Sequence, residues 1–278
     1  MAQANGAEPL SASPGAPPGP QLGRRKLTRA RRSNHVWTVD FKGWFRVGNG
    51  QRVEPLTVRD AFSRYVLAVE LFEEQNWEAT QRVFRRLFRQ YGYPVVLRAD
   101  NGSPFGSRGA CGLTRLSAWW TALGIRVEFI APGHPEQNGA HEQMHRILKA
   151  ETTRPPSRHL RAQQRRTDQW VKVYNELRPH EGLGQRMPAE VYCPKTSNIR
   201  QGVLNYPKGW ATRRVRTAGD IKWEGRKRFV GEAFVGYPVG LKASGKGRWS
   251  VYFGGLLIGE LWRSDPGRMR PGSYGRGK

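Results

Sequence analysis

The most constraining feature of this chain is a change of texture at Pro194: strand-like and helix-like runs alternate before it, and only short strands follow. VWTVDFKGWFRV (36–47), PLTVRD (55–60) and YVLAVELF (65–72) are rich in β-branched and aromatic residues and read as three strands. Asn76 is placed to cap a helix whose Val83, Phe84, Leu87, Phe88 and Tyr91 share one face, and Gly92 is placed to end it. Val95, Val96 and Leu97 form a short apolar strand that runs into Asp100 before Asn101-Gly102 breaks it. A helix in LTRLSAWWTALG (113–124), a strand in IRVEFI (125–130), a loop in APGHPEQNGA (131–140), a helix from His141 to Arg154 and a helix from Leu160 to Leu177 complete the order β-β-β-α-β-α-β-α-α. That order predicts an α/β domain over residues 36–196, with helices covering a mixed sheet. Residues 197–262 hold five short strands (IKWEG, KRFVG, PVGLKA, RWSVYF, LLIGELW) between Gly-rich turns, the pattern of a small β-barrel.

Charge narrows the function. The chain carries 47 Lys+Arg against 22 Asp+Glu, a formal net charge of +25. Its distribution is uneven: +5 in residues 1–35, +8 in 36–196 and +12 in 197–278. Such an excess points to a polyanionic partner, nucleic acid first, because no basic amphipathic helix of the membrane-surface kind stands out. Residues 1–23 are Pro/Gly/Ala/Ser-rich and predict a disordered tail, followed by the basic arm RRKLTRARR; residues 263–278 read as a flexible basic tail. The arm reads equally as a solvated linker or as a DNA contact. Cys111 and Cys193 are too few for a disulfide framework or a Cys-rich zinc site, and no transmembrane run or secretory h-region is visible.

Three acids stand out by position. Asp40 lies in the first strand, Asp100 at the carboxyl end of a buried strand, and Glu142 at the opening of a helix. Ends of central strands are where α/β sheets present functional groups. Carboxylates gathered together repel one another unless a divalent cation intervenes, and oxygen-only ligands select Mg²⁺ or Mn²⁺. Two such ions, ~3.5–4 Å apart, assist an in-line phosphoryl displacement.

VWTVDFKGWF, PLTVRDAFSRYVLAVELF, ADNGSPF, PGHPEQNGAHEQMHRILKAE and YNELRPHEGLGQRMPAEVY, in that order, resemble the catalytic core of insertion-sequence transposases and retroviral integrases, the Asp-Asp-Glu group with an RNase H-like fold. The resemblance spans residues 24–262. It implies an RNase H-like α/β core followed by an SH3-like barrel that binds DNA or supports assembly. It also implies metal-dependent cleavage and strand transfer on double-stranded DNA (transposon ends and target), two Mg²⁺ or Mn²⁺ ions held by Asp40, Asp100 and Glu142, and a homo-oligomer working on DNA in the bacterial cytoplasm at the nucleoid. Asn101 and Gly102 follow the second aspartate in the family, Gly102 supplying the turn and Asn101 bracing the site. Asp60, with Ser63 and Arg64, belongs to a family turn and reads as structural.

Spacing and context disagree over the third acid. Between Asp100 and Glu136 there are 35 residues, the separation associated with the group, and between Asp100 and Glu142 there are 41. The family pattern P-x-x-P-x-x-x-G-x-x-E fits Pro132, Pro135, Gly139 and Glu142, so Glu142 is preferred, with the additional residues placed in SPFGSRGACGLTR (103–115). His145, Arg146 and Lys149 follow Glu142 at helical spacing and read as DNA-facing. Within the barrel, Trp210, Trp223, Trp249 and Trp262 read mostly as core.

Two rival readings remain. His141-Glu142-x-x-His145 also matches the zinc-protease motif HExxH, but Leu148 stands where an extended motif has Gly, and that reading leaves Asp40, Asp100 and the charge unexplained. The second rival is a catalytically idle, truncated transposase that only binds DNA. The family's helix-turn-helix or His₂Cys₂ zinc domain has no counterpart ahead of Asp40, so end recognition is expected from elsewhere, for example a separate helix-turn-helix protein.

Overall fold

The computed structural model describes residues 27–41, 43–130, 139–193, 203–265 and 267–271. The β-branched run at the start of the α/β region forms β1 (Val36–Phe41), the centre of a mixed sheet. It pairs antiparallel with β3 (Arg52–Asp60) and parallel with β5 (Val96–Ala99). Beyond them, β4 (Val66–Phe72) runs antiparallel to β3, and β6 (Arg126–Phe129) parallel to β5. The two-residue strand β2 (Phe45–Arg46) continues β1's side of β3, with Phe45 opposite Val53 where Phe41 faces Leu56. Four steps on one strand thus match three on the other, so the expected single strand 36–47 is interrupted by one extra residue.

Helices cover both faces. α1 (Trp77–Tyr91) begins where Asn76 Oδ1 accepts the Ala79 N–H and ends at Gly92, whose φ of 80° suits glycine. With α2 (Arg115–Ala122), capped by Thr114, it packs Phe84, Leu87, Phe88, Trp119 and Trp120 against Trp37, Val39, Leu56, Val58, Leu97 and Ala99. The other face carries α3 (Gly139–Thr152) and α4 (Leu160–Glu176), where Met144, Leu148, Trp170 and Tyr174 meet Val66 and Val69. α5 (Pro188–Val191) follows, started by Pro188 at its first position. Among the described residues no helix is long and apolar enough to cross a membrane.

The C-terminal region is all antiparallel. β7 (Ala211–Arg214), β10 (Pro238–Gly245), β11 (Arg248–Phe253), β12 (Leu256–Trp262) and β13 (Arg270–Pro271) form one sheet in the order β13-β12-β11-β10-β7, and β8 (Asp220–Trp223) pairs with β9 (Arg226–Phe229) as a separate ribbon. The edge strands β7 and β13 escape a reading by pattern because they are short, exposed and Arg-bearing. Buried Val239, Leu241, Val251, Phe253, Ile258 and Leu261 form its core. That core is continuous with Cys111, Leu113 and Ala118 of the α/β region, and Cys111 Sγ donates to the Leu257 carbonyl at 3.3 Å. The Gly-rich stretch 103–115, expected as a place of cheap insertion, therefore seats the C-terminal domain.

Of the N-terminal arm, the described residues from Leu27 onward lie on the sheet edge, where Arg98 donates to the Thr28 carbonyl at 2.6 Å and Thr28 bonds Glu128. The tail 1–23, Arg24, Arg25, Lys26 and residues 272–278 lie outside the described residues.

Candidate active site

Two neighbouring strands carry or lead into the first two acids. β1 and β5 pair Val36 with Val96, Trp37 with Leu97 and Thr38 with Arg98. Carried two residues further, that parallel register sets Asp40 level with Asp100. Alternation turns Trp37 and Val39 into the core beneath α1 and α2, and so turns Thr38 and Asp40 towards the face covered by α3. Asp100 follows the strand end, and desolvation raises its pKa above the ordinary 3.8, opposed by the hydrogen bond its carboxylate accepts from the Gly102 backbone. A Cβ added at Gly102 would sit 3.1 Å from Asp100 Oδ2, so glycine keeps approach to that carboxylate open. An all-oxygen pair on neighbouring strands with an open flank fits a hard divalent cation.

The third acid stands apart. Glu142 is exposed in the first turn of α3, and among the described residues no three His, Cys, Asp or Glu side chains converge tightly enough to hold a metal. The expected convergence of Asp40, Asp100 and Glu142 is therefore not formed. The reason lies in the rotation of α3: its buried stripe is His141, Met144, His145, Leu148 and Thr152, and Glu142 falls just off it. Glu136, Pro132 and Pro135 lie outside the described residues.

The same stripe corrects the expectation for His145. Arg146 and Lys149 are exposed beside Glu142, but His145 is 1% exposed and cannot face DNA. It points into the sheet, its Nε2 2.7 Å from Thr57 Oγ1 and its Nδ1 3.5 Å from Asp40 Oδ2. His141, equally buried, lies 2.7 Å from the same Thr57 oxygen through Nε2 and 2.9 Å from Thr38 Oγ1 through Nδ1. Both histidines of the HExxH motif thus turn inward onto threonines while its glutamate turns outward, which is not a zinc-protease arrangement.

His141 was named only within the rival zinc motif, and Thr38, Thr57 and Arg59 were not singled out by sequence reasoning. Thr57 faces Asp40 across the β1–β3 pair and donates to its carbonyl at 3.1 Å. Arg59 is buried, donates to the Ala140 carbonyl at the start of α3, and has its pKa lowered by desolvation. The only available signal was their alternation with the apolar residues of β1 and β3, which marks a face but not its use. Asp60, read as structural, is buried and accepts from the Asn34 N–H and from both the N–H and hydroxyl of Ser63 at 2.7–2.8 Å; desolvation raises its pKa above the ordinary value.

In the C-terminal domain the four tryptophans are half-buried rather than core. Arg213 lies over Trp223, Arg263 over Trp249 and Lys242 over Trp210, and Trp262 is flanked by Arg248 and Arg270, each 3.9 Å from its ring centroid. Trp223 and Trp249 also pack against the domain's apolar core, so each meets the core on one side and a cation on another.

Comparison with known proteins agrees with this architecture. Residues 30–135 and 123–188 match integrase core domain families, and residues 210–264 match the C-terminal domain of IS481 family transposases. A 31.7 kDa protein of insertion element IS407 from Burkholderia multivorans is 30% identical over 179 residues, 62% of this chain and 60% of that protein. A 39.2 kDa protein of insertion element IS476 from Xanthomonas euvesicatoria is 30% identical over 168 residues, 60% of this chain and 46% of its own length. The chain thus spans about half the length of these insertion-element relatives. In a simian T-cell lymphotropic virus intasome solved with a PP2A regulatory subunit, one chain aligns over 90% of this protein and 83% of itself, with a TM-score of 0.51 and 16% identity. At that identity the likeness speaks for the fold, an integrase core followed by an antiparallel β domain.

Proposed function

This chain belongs to the integrase and transposase family, and we propose on that premise that it catalyses divalent-metal-dependent cleavage and strand transfer of double-stranded DNA. The observation that supports the reading is the parallel β1–β5 register, which, extended two residues past Thr38–Arg98, aligns Asp40 with Asp100. Asp40, Asp100 and Glu142 would hold Mg²⁺ or Mn²⁺, Glu142 joining from the first turn of α3. When bound, the metal ions polarise the phosphodiester and stabilise the attacking and leaving oxygens of an in-line displacement. The chain's own groups prepare that site. Gly102 leaves the Asp100 carboxylate open on one side and its backbone N–H orients it. Asn101 braces the turn after the strand. Arg146 and Lys149, exposed on the helix that carries Glu142, grip DNA phosphates close to the reacting bond.

The C-terminal domain supplies sequence-blind grip. Its segment 197–278 holds +12 of the net charge, and its indole-stacked guanidiniums present cations at low conformational cost. The chain would act in a homo-oligomer on DNA at the bacterial nucleoid, with a helix-turn-helix protein contributing to recognition of DNA ends. The test is Mg²⁺- or Mn²⁺-dependent nicking and strand transfer by wild type and Asp100→Asn. Activity in wild type and none in the variant supports the reading. Equal activity in both removes Asp100 from the chemistry. Inactivity of both, with DNA binding retained, makes the chain a DNA-binding remnant.

A further inference from the structure

Beneath Asp40 lies a group of buried polar side chains joined by hydrogen bonds. Thr38, Thr57, His141 and His145 are all buried, and a buried polar group is costly unless every hydrogen-bonding atom finds a partner. Their bonds converge on one oxygen. Thr57 Oγ1 touches the Asp40 carbonyl at 3.1 Å and the Nε2 atoms of His141 and His145 at 2.7 Å each. A hydroxyl has one proton and two lone pairs. A carbonyl can only accept, so the proton goes to Asp40 and both rings donate Nε2–H into Thr57. The far nitrogens then face β1: His141 Nδ1 accepts from the Thr38 hydroxyl at 2.9 Å, and the His145 ring packs beside the Asp40 carboxylate, its Nδ1 3.5 Å from Oδ2 and too loose for a hydrogen bond.

We infer that Thr57 and His145 are positioning residues for Asp40, a bracket that holds its backbone, walls one side of its carboxylate and joins β1 to the helix carrying Glu142. The inference rests on the reading of Asp40 as a metal ligand. Thr57 holds the Asp40 carbonyl by a hydrogen bond, His145 packs beside the Asp40 carboxylate, and Thr57 and His145 are bonded to each other. The backbone of Asp40 is thereby tied to α3, and α3 cannot turn without moving His145 away from both Thr57 and the carboxylate. Hydrogen-bonded groups behind a metal ligand set both the ligand's orientation and its affinity for the ion. The bracket also gives the HExxH pair a use that needs no zinc.

The experiment titrates Mn²⁺ into the full chain by electron paramagnetic resonance, with melting temperature and strand transfer measured alongside. Thr57→Val removes the hydroxyl at nearly constant shape and is expected to weaken Mn²⁺ binding by about tenfold or more, the usual loss for such a supporting group. Thr57→Ser restores the hydroxyl and is expected to recover most of the affinity. His145→Gln keeps a donor near Thr57, loses the group facing Asp40, and is expected to weaken Mn²⁺ binding with a near-normal melting temperature. It stands as the test if Thr57→Val does not fold. Wild-type Mn²⁺ affinity in Thr57→Val or His145→Gln overturns the proposal, as does a Thr57→Ser protein that is folded yet no better than Thr57→Val. Asp40→Asn separates the premise from the inference: if Mn²⁺ binding survives it unchanged, Asp40 is not a ligand and the bracket falls with it.

Discussion

The two faces of the central sheet are built on different rules. Beneath α1 and α2 the sheet presents Trp37, Val39, Leu56, Val58 and Leu97, with Trp37 stacked on Phe88 and, among the helices, Phe84 meeting Trp120 edge-on. Beneath α3 the same strands present Thr38, Asp40, Thr57 and Arg59, tied to His141, His145 and the Ala140 carbonyl. One face is held by buried apolar area, which is non-directional; the other adds directional hydrogen bonds to the apolar contacts of Met144 and Leu148 with Val66 and Val69. Adjacent residues of one strand thus serve stability and alignment in turn, because strand side chains alternate with a period of two.

This comparison can be broken by experiment. The largest effect is expected for Asp100→Asn on the polar face: metal-dependent strand transfer falls to background while the melting temperature stays within a few degrees. A variant that loses activity only because it unfolds would erase the distinction between the faces. Phe84→Ala makes the converse cut. It empties a fully buried position packed on Trp120 and Phe88, and denaturant unfolding should show a loss of about 3–5 kcal/mol with Mn²⁺ affinity unchanged.

Smaller effects sharpen the picture. Arg146→Ala and Lys149→Ala, on the exposed flank of α3, should each flatten the salt dependence of DNA binding by about one unit of slope in a log–log plot and leave stability within about 0.5 kcal/mol. The smallest effect is a pH slope. Burial holds the Asp100 pKa above 3.8, so protons compete with metal at higher pH than they would at an ordinary aspartate. Mn²⁺ affinity should therefore fall as pH drops from neutrality, beginning above 3.8, and the Asp100 part of that slope should vanish in Asp100→Asn. A pH-independent affinity down to that value would mean that Asp100 does not bind the ion.

Much of this was legible without coordinates. The apolar face of α1 and its caps at Asn76 and Gly92 follow from local spacing, and so does the placement of Asp100 at a strand end, since caps and periodicity involve neighbours within a few residues. His145 shows where such reasoning stops. Helical spacing groups it with Glu142, Arg146 and Lys149, yet the rotation of α3 is decided by Met144 and Leu148 against Val66 and Val69, contacts some eighty residues apart in the chain. Histidine is neither apolar nor always charged, so its type does not say which way it faces. The half-buried tryptophans were likewise beyond pattern, because their cations come from neighbouring strands or turns.

By itself, the sequence determined the alternation of elements, the division near Pro194, the basic excess and the types of the three acids, all properties carried by near neighbours or by composition. Only the tertiary structure decided that β1 and β5 pair in the parallel register that, extended, aligns Asp40 with Asp100, that Thr57 and His145 close beneath Asp40, that Glu142 sits on the outer flank of α3, and that Cys111 seats the C-terminal domain. These depend on strand register, helix rotation and the docking of distant segments. Each is set by summed burial and hydrogen bonding across the molecule, and a local pattern of residue types does not encode it.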